Sequence, residues 1–437
     1  MLRVSATAVR AAQVKPVSIR LVALASFAGT TIEWYDFFLY GTAAALVFNK
    51  VFFPTFAPLS GTLAAYGTYA VGFVARPLGG IVIGHFGDRI GRKSMLVLTL
   101  VLMGTATFLI GLLPTYNQIG MWAAVILVAL RIVQGFGVGG EWGGAVLMAV
   151  EHAPPGARGF YGSWPQMGVP VGLLLSTAVF SFFTRLPQDQ FLSWGWRVPF
   201  LLSIVLVGVG LYIRLSILET PAFARLKESR GEVRQPILEV LRHYPKQILL
   251  AAGARVAENG SFYIYSVFSL TYATQYAGFD RTVVLNAILI ASAFDAIAIP
   301  LYGALSDRVG RRPVYMFGAV MTALFAFPFF WLIGSGQTWG LVLAMLGSFV
   351  LSHAAMYAPQ AAFLSELFGT RVRYSGASLG SQLASVVAGG LAPLIATALM
   401  AQYGPPAVAL YVASMAAVTI VSLMIATETL SAHIDSE

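Results

Sequence analysis

Twelve predominantly apolar stretches, each near or above the ~20 residues a helix needs to cross a bilayer, run along this chain. They fall at about 20–46, 61–83, 94–113, 121–149, 160–183, 195–217, 247–276, 283–305, 313–333, 339–365, 374–401 and 406–427. Lipid offers no partner to an unpaired backbone N–H or C=O, so such stretches persist only as helices or as strands of a closed barrel. The ten-residue alternation of barrel strands is absent. The expected fold is therefore an all-α integral membrane protein with twelve transmembrane helices. Composition agrees: 58% of residues are hydrophobic and 10% charged, too few charges to cover a soluble protein of this length.

The short charged gaps between the stretches carry a repeat. Gly84-His-Phe-Gly-Asp88-Arg89-Ile-Gly91-Arg92-Lys93, between stretches two and three, returns as Gly303-Ala-Leu-Ser-Asp307-Arg308-Val-Gly310-Arg311-Arg312 between eight and nine. Each copy is answered downstream by a Glu and an Arg at matching spacing, Glu151 with Arg158 and Glu366 with Arg373. One loop chemistry repeated at half the chain length implies two copies of one unit, here two pseudo-symmetric six-helix bundles. The expected division is a tail at 1–19, a bundle at 20–217, a linker at 218–246, a second bundle at 247–427 and a tail at 428–437. The linker mixes both charge signs, which suits one or two amphipathic surface helices rather than an independent domain.

Net charge is +9, yet its placement reports topology. Lys50, Arg185, Arg197 and Arg281 fall in loops of one side and Arg76, Arg131, Arg214 and Arg255 within stretches. The rest of the 27 Lys and Arg gather on the other side. That bias sets both termini in the cytoplasm, and without a soluble basic domain it excludes nucleic acid as a partner. There is no cysteine, and neither an HExxH motif nor a P-loop, so metal hydrolysis, thiol chemistry and direct ATP hydrolysis have no support. No cofactor or metal is expected. The first apolar run is too long for a cleaved leader and reads as a retained helix.

Several charges lie inside apolar stretches: Glu33, Asp36, Arg76, Arg131, Glu141, Arg255, Glu258 and Asp295. An ion near the bilayer centre costs at least ~2.5–3.5 kcal/mol on insertion scales, so each needs a partner or a watery cavity. Their helical spacing makes stripes: Glu33, Asp36 and Tyr40 on stretch one; Arg131, Gln134 and Glu141 on four; Arg255, Glu258, Asn259 and Tyr263 on seven; His353, Tyr357 and Gln360 on ten. These stretches correspond across the two halves, so the stripes predict one central cavity. A carboxylate there is pushed toward neutrality by desolvation and pulled back by a nearby arginine, a pairing that can couple proton and substrate binding. The plain alternative, that some of these charges only hold helices together, applies most to Glu141, Arg76 and Asp295. For His353 a hydrogen-bonded buried imidazole competes with a proton relay.

In the repeated loops, Asp88 and Asp307 are placed to cap the positive end of a neighbouring helix, and Arg92 and Arg311 to pair with Glu151 and Glu366. With Arg158 and Arg373 these residues are the expected cytoplasmic gate, made only while that side is shut.

The doubled Gly-x3-Asp-Arg-x-Gly-Arg-(Arg/Lys) resembles the signature loop of the major facilitator superfamily. Arg131-x-x-Gln134-Gly135-x-Gly137 resembles that superfamily's second motif, associated with proton-coupled members. Ile32-Glu33-Trp34-Tyr35-Asp36-Phe37, Ala75-Arg76-Pro77-Leu78-Gly79-Gly80, Gly139-Gly140-Glu141-Trp142-Gly143-Gly144 and Ser193-Trp194-Gly195-Trp196-Arg197-Val198-Pro199-Phe200 are similar to the metabolite:proton symporter family, nearly end to end. The resemblance implies a monomeric symporter of the bacterial inner membrane that imports a small organic anion with protons. Shikimate or a related hydroxylated carboxylate is the expected cargo.

On that reading Asp36 leads as the proton site, with Glu33, Glu258 and Arg131 also coupling. Arg131 and Arg255 suit the carboxylate, because a guanidinium grips it bidentately. Gln134, Asn259, Tyr263, Gln166, His353, Gln360 and Gln382 complete the expected substrate set. The rivals are a carrier of a dicarboxylate, citrate or a betaine/proline osmolyte, a drug/proton antiporter, and a channel or non-transporting receptor.

Overall fold

The structure, a computed structural model, describes residues 19–430 apart from 91, 140–141, 152, 155, 217–241 and 369–372. The expected linker falls largely outside the described residues, as do most of both tails.

Twelve helical runs follow the twelve apolar stretches in order. They are α1 (19–51), α2 (Pro58–Ile90), α3 (Arg92–Leu112), α4 (Trp122–Val138 continued by Trp142–Glu151), α5 (Arg158–Thr184), α6 (188–216), α7 (245–276), α8 (Arg281–Val309), α9 (Arg311–Gly334), α10 (Thr338–Glu366), α11 (373–403) and α12 (Pro405–Ile425). Among the described residues, seven runs are long and apolar enough to span a membrane by length and composition alone. Large apolar side chains such as Leu301, Leu324 and Trp331 lie mostly exposed, which suits a surface that meets hydrocarbon rather than water. The chain is a multi-pass membrane protein.

Packing inside each half depends on small residues. Gly135 and Gly139 of α4 lie one turn apart, and a Cβ on either would collide with the backbone of Gly72 or Arg76 in α2. Helices in lipid lack a hydrophobic driving force between them, so such close approach supplies the contact energy. Each half also carries wide π-turns: 44–48 in α1, 264–268 and 272–276 in α7, 347–353 in α10 and 385–390 in α11. Such turns re-aim side chains locally, and His353 and Ser385 both lie in one.

The halves meet along α5 and α8, which pack over their length. At one end Gly159 and Gly303 bring the two helices nearly into backbone contact, since a Cβ on Gly303 would meet the Gly159 carbonyl at 2.7 Å. At the other end Tyr66 of α2 hydrogen-bonds Thr271 of α7 at 2.6 Å. Contacts between the halves thus occur at both ends, and the conformation is closed around its centre.

Candidate functional site

At the Gly303 end the repeated loop has a definite geometry. The first N–H groups of a helix have no intrahelical acceptor. Asp307 supplies one to the start of α5, accepting from Gly159 N and Phe160 N at 2.8 Å each. Arg311 holds that carboxylate at 2.6 Å and reaches Glu366 of α10 at 3.4 Å. Gly310 connects α8 to α9 with φ 107° and ψ 154°, a region that only glycine enters without strain. The loop's Asp, Gly and Arg therefore each meet a distinct physical need.

The counterpart in the first half is only partly visible. The side chains of Asp88, Arg92, Glu141 and Arg373 lie outside the described residues. Glu151 and Arg158 are described and engaged, and the Arg158 charge acts on Glu366.

The sequence reading missed a further contact at this end. Glu428, just past α12, accepts from Arg311 N at 2.9 Å and Arg312 N at 3.0 Å, capping α9. Thr429 then donates to Glu366 at 2.7 Å. The sequence marks the segment after Thr427 only as a tail, because a cap supplied from more than a hundred residues away has no sequence spacing to reveal it.

Toward the middle of the first half, Arg131 is fully buried. It donates to Gln134 at 3.1 Å, and Gln134 in turn donates to Thr107 at 2.7 Å. Its guanidinium lies 4.5, 4.3 and 4.8 Å from the ring centres of Phe37, Tyr40 and Tyr69. Arg76 lies 4.3 and 4.2 Å from the rings of Phe37 and Phe73. In both arginines Nε and Nη2 are buried without a hydrogen-bond partner among the described residues. Asp36 is wholly buried, and neither carboxyl oxygen makes a well-formed hydrogen bond, although Thr107 and the Glu33 charge lie beside it. Glu33 is buried and engaged.

In the second half the charges are joined in a network. Arg255 Nε lies 3.5 Å from Glu258, and Arg255 Nη1 donates to Ser381 at 2.5 Å. Gln360 Nε2 serves both Glu258 at 3.0 Å and Tyr315 at 2.8 Å. His353 Nδ1 lies 2.8 Å from Asp295 and its Nε2 3.8 Å from Glu258. The imidazole stacks between Phe262 and Tyr357 at 3.9 and 4.9 Å. His353, a predicted substrate contact, thus bridges two acids. Asp295, whose role the sequence left open, is its partner.

The two clusters face each other across an aromatic wall. The Tyr263 ring lies 5.1 Å from Phe73 and 5.9 Å from Phe37, and Arg255 lies 4.8 Å from the Trp142 ring. Asn259 Nδ2 donates to Ser385 at 3.3 Å, leaving its Oδ1 unpartnered. Gln166 accepts from Trp142 and donates to the Tyr357 carbonyl, and Gln382 reaches the Gly139 carbonyl at 3.5 Å. Both glutamines hold the halves together in this closed state. Phe37, Tyr69, Phe73 and Trp142 were not anticipated as site residues, because aromatic residues in apolar stretches carry no pattern separating a cavity wall from ordinary packing.

A closed core between two six-helix halves, lined by arginines and buried acids, is the architecture of a membrane transporter and not of an enzyme. The family model for the Major Facilitator Superfamily matches residues 22–377 and 250–435, and the chain belongs to that superfamily. It is 46% identical over 387 residues to the shikimate transporter of Escherichia coli K12, covering 88% of each chain. It is also 35% identical to the proline/betaine transporter of the same organism, over 89% of this chain and 81% of that one. Among solved structures, the proton:xylose symporter XylE bound to 6-bromo-6-deoxy-D-glucose superposes with a TM-score of 0.76 at 18% identity, over 94% of this chain and 96% of that one. This last likeness speaks for the fold alone.

Proposed function

We propose that this chain is a monomeric proton-coupled symporter of the bacterial inner membrane that imports shikimate or a closely related hydroxylated carboxylate. Both termini and the Asp307 end then face the cytoplasm, in keeping with the distribution of Lys and Arg. The observation that carries the reading is the pair of buried arginines, Arg76 and Arg131, whose Nε and Nη2 atoms have no acceptor among the described residues. A buried, unpaired donor on a charged group is costly. An anionic substrate entering the same chamber supplies the missing acceptor, and Arg131 can grip its carboxylate bidentately.

In this mechanism Asp36 takes the proton, since its buried carboxyl has no well-formed hydrogen bond among the described residues and stands beside the charge of Glu33. Arg255 meets the substrate from the second half, while Asn259 Oδ1, Gln360 Oε1 and Gln382 Oε1, all unpartnered, accept its hydroxyls. With proton and anion both bound, the core carries no added charge, and the halves rock until the contacts of Asp307 and Arg311 break. Those contacts act as the cytoplasmic gate.

An osmolyte is the other reading that the relatives raise. A quaternary ammonium seeks aromatic faces, and the chamber has them. Here, however, the rings of Phe37, Tyr40, Tyr69 and Phe73 already face the Arg76 and Arg131 guanidinium groups, so a second cation meets repulsion. The test is uptake of labelled shikimate into proteoliposomes under an inward proton gradient, with quinate, protocatechuate, citrate, proline and betaine as competitors. Competition by the hydroxylated acids and none by betaine is expected. Accumulation of betaine or proline with no shikimate uptake would replace the assignment.

A further inference from the structure

A cationic cavity lies at the end opposite Asp307, away from the central cluster of buried charges. It has a volume of about 450 Å³ and is bordered by Asn49, Lys50, Gln188, Gln275, Asp280 and Arg281, among others. That size falls within the usual range for small-ligand sites. The cavity lies at the seam between the halves, because Asn49, Lys50 and Gln188 belong to the first and Gln275 and Arg281 to the second.

Arg281, the first residue of α8, spans the seam. It donates to Gln188 Oε1 at 2.6 Å and to the Thr184 carbonyl at 2.7 Å, and its guanidinium lies 4.5 Å from the Phe191 ring. Thr184 ends α5, and a carbonyl there has no intrahelical donor. α8 thus clamps both termini of α5 with the charge each attracts, Asp307 at the N–H end and Arg281 at the C=O end. The two clamps differ in what they leave open. Asp307 is neutralised by Arg311. Arg281 shares its cavity with a second cation, Lys50, which has no ion-pair partner among the described residues. The one acid on the rim, Asp280, uses Oδ1 to cap Thr282 N at 2.7 Å. Asn49 Oδ1 is buried at the same place with no donor. Another arginine at this end, Arg197, also borders a cavity, of about 550 Å³, but it is spent on the Gly111 and Leu113 carbonyls within one half, and no second cation lines that cavity.

Two cations against one acid, Asp280, whose charge acts on Arg281, leave an excess of positive charge beside an acceptor short of a hydroxyl, a combination that matches a hydroxylated carboxylate. We propose that this cavity is an outer binding site for the substrate anion, in which the carboxylate draws Arg281 away from Gln188 and Thr184 and so unlatches the outer end of the α5–α8 seam. The inference rests on the anion-import reading and adds to it a recruitment step ahead of the central site. A substrate that releases its own gate makes opening depend on occupancy.

The absence of cysteine permits a direct test. A single cysteine replaces Gln275, which is exposed on the cavity rim, and another, as reference, replaces the exposed loop residue Gln337. Labelling by an anionic and a cationic methanethiosulfonate is compared in purified protein, with and without benzoate or shikimate. The expected anionic preference at position 275 is about fivefold over the reference, as one screened charge pair allows. Either carboxylate should slow it, and Lys50→Gln should remove most of both effects. Equal rates for the two reagents, or protection that survives Lys50→Gln, would overturn the site. Labelling needs no transport, so protection by benzoate can stand even where shikimate uptake fails, and the reverse result would leave only the central site.

Discussion

The Asp307 clamp yields the most quantitative prediction. Asp307→Asn keeps the shape of the side chain but replaces one carboxylate oxygen with a donor that cannot accept from α5. Of the two N–H contacts at 2.8 Å, one is lost outright and the other becomes a neutral bond. The Arg311 pairing at 2.6 Å loses its charge. A hydrogen bond to a charged group is worth about 1.5–3 kcal/mol, and a charge at a helix terminus adds about 0.3–1 kcal/mol. The closed state should therefore lose about 2–3 kcal/mol relative to the inward-open one. At about 1.4 kcal/mol per tenfold, the population of the open state rises roughly 30- to 150-fold. A single cysteine at Ser163, wholly buried beneath the clamp, reads this as its rate of alkylation by N-ethylmaleimide in purified protein. An increase below about threefold would show that Asp307 does not hold the halves closed, and the gate assignment would fall with it.

Other outcomes follow from the same geometry. Asp36→Asn should abolish uphill accumulation under a proton gradient while leaving substrate exchange at equal pH measurable; normal accumulation would exclude Asp36 as the coupling site. Arg255→Lys cannot hold Glu258, Ser381 and a carboxylate together, so the half-saturating substrate concentration should rise about tenfold or more, and unchanged kinetics would remove Arg255 from the site. His353→Leu leaves Asp295 buried without its partner at 2.8 Å, a loss of about 3–5 kcal/mol visible as a lower Tm in detergent. Adding Asp295→Leu should recover much of that loss, and a double variant no more stable than the single one would deny the pairing.

The sequence carried the fold well because lipid removes most alternatives: an apolar stretch of sufficient length has to be a helix, and the repeated loop divides the helices into two sets. It also carried the geometry of Asp307 and Arg311, since a cap and its countercharge recur at fixed spacing. The central site was legible only as polar stripes. The stripes placed Arg131 with Gln134 and Arg255 with Glu258, because those pairs lie on one helix face. They could not show that His353 reaches Asp295, which belongs to another helix, nor that π-turns re-aim α10 and α11. Glu428 and Arg281 were illegible for a different reason. Each satisfies a helix terminus elsewhere in the chain, and a terminus advertises its need but not its supplier.

The central claim is coupled entry of an anion and a proton, and proton movement reads it most directly. Proteoliposomes containing a trapped pH indicator would receive shikimate outside at equal starting pH, with wild type and Asp36→Asn compared. The proposed mechanism predicts acidification of the lumen with wild type, saturating in shikimate, and none with the variant. Shikimate entry with no proton movement, or with alkalinisation, would contradict it.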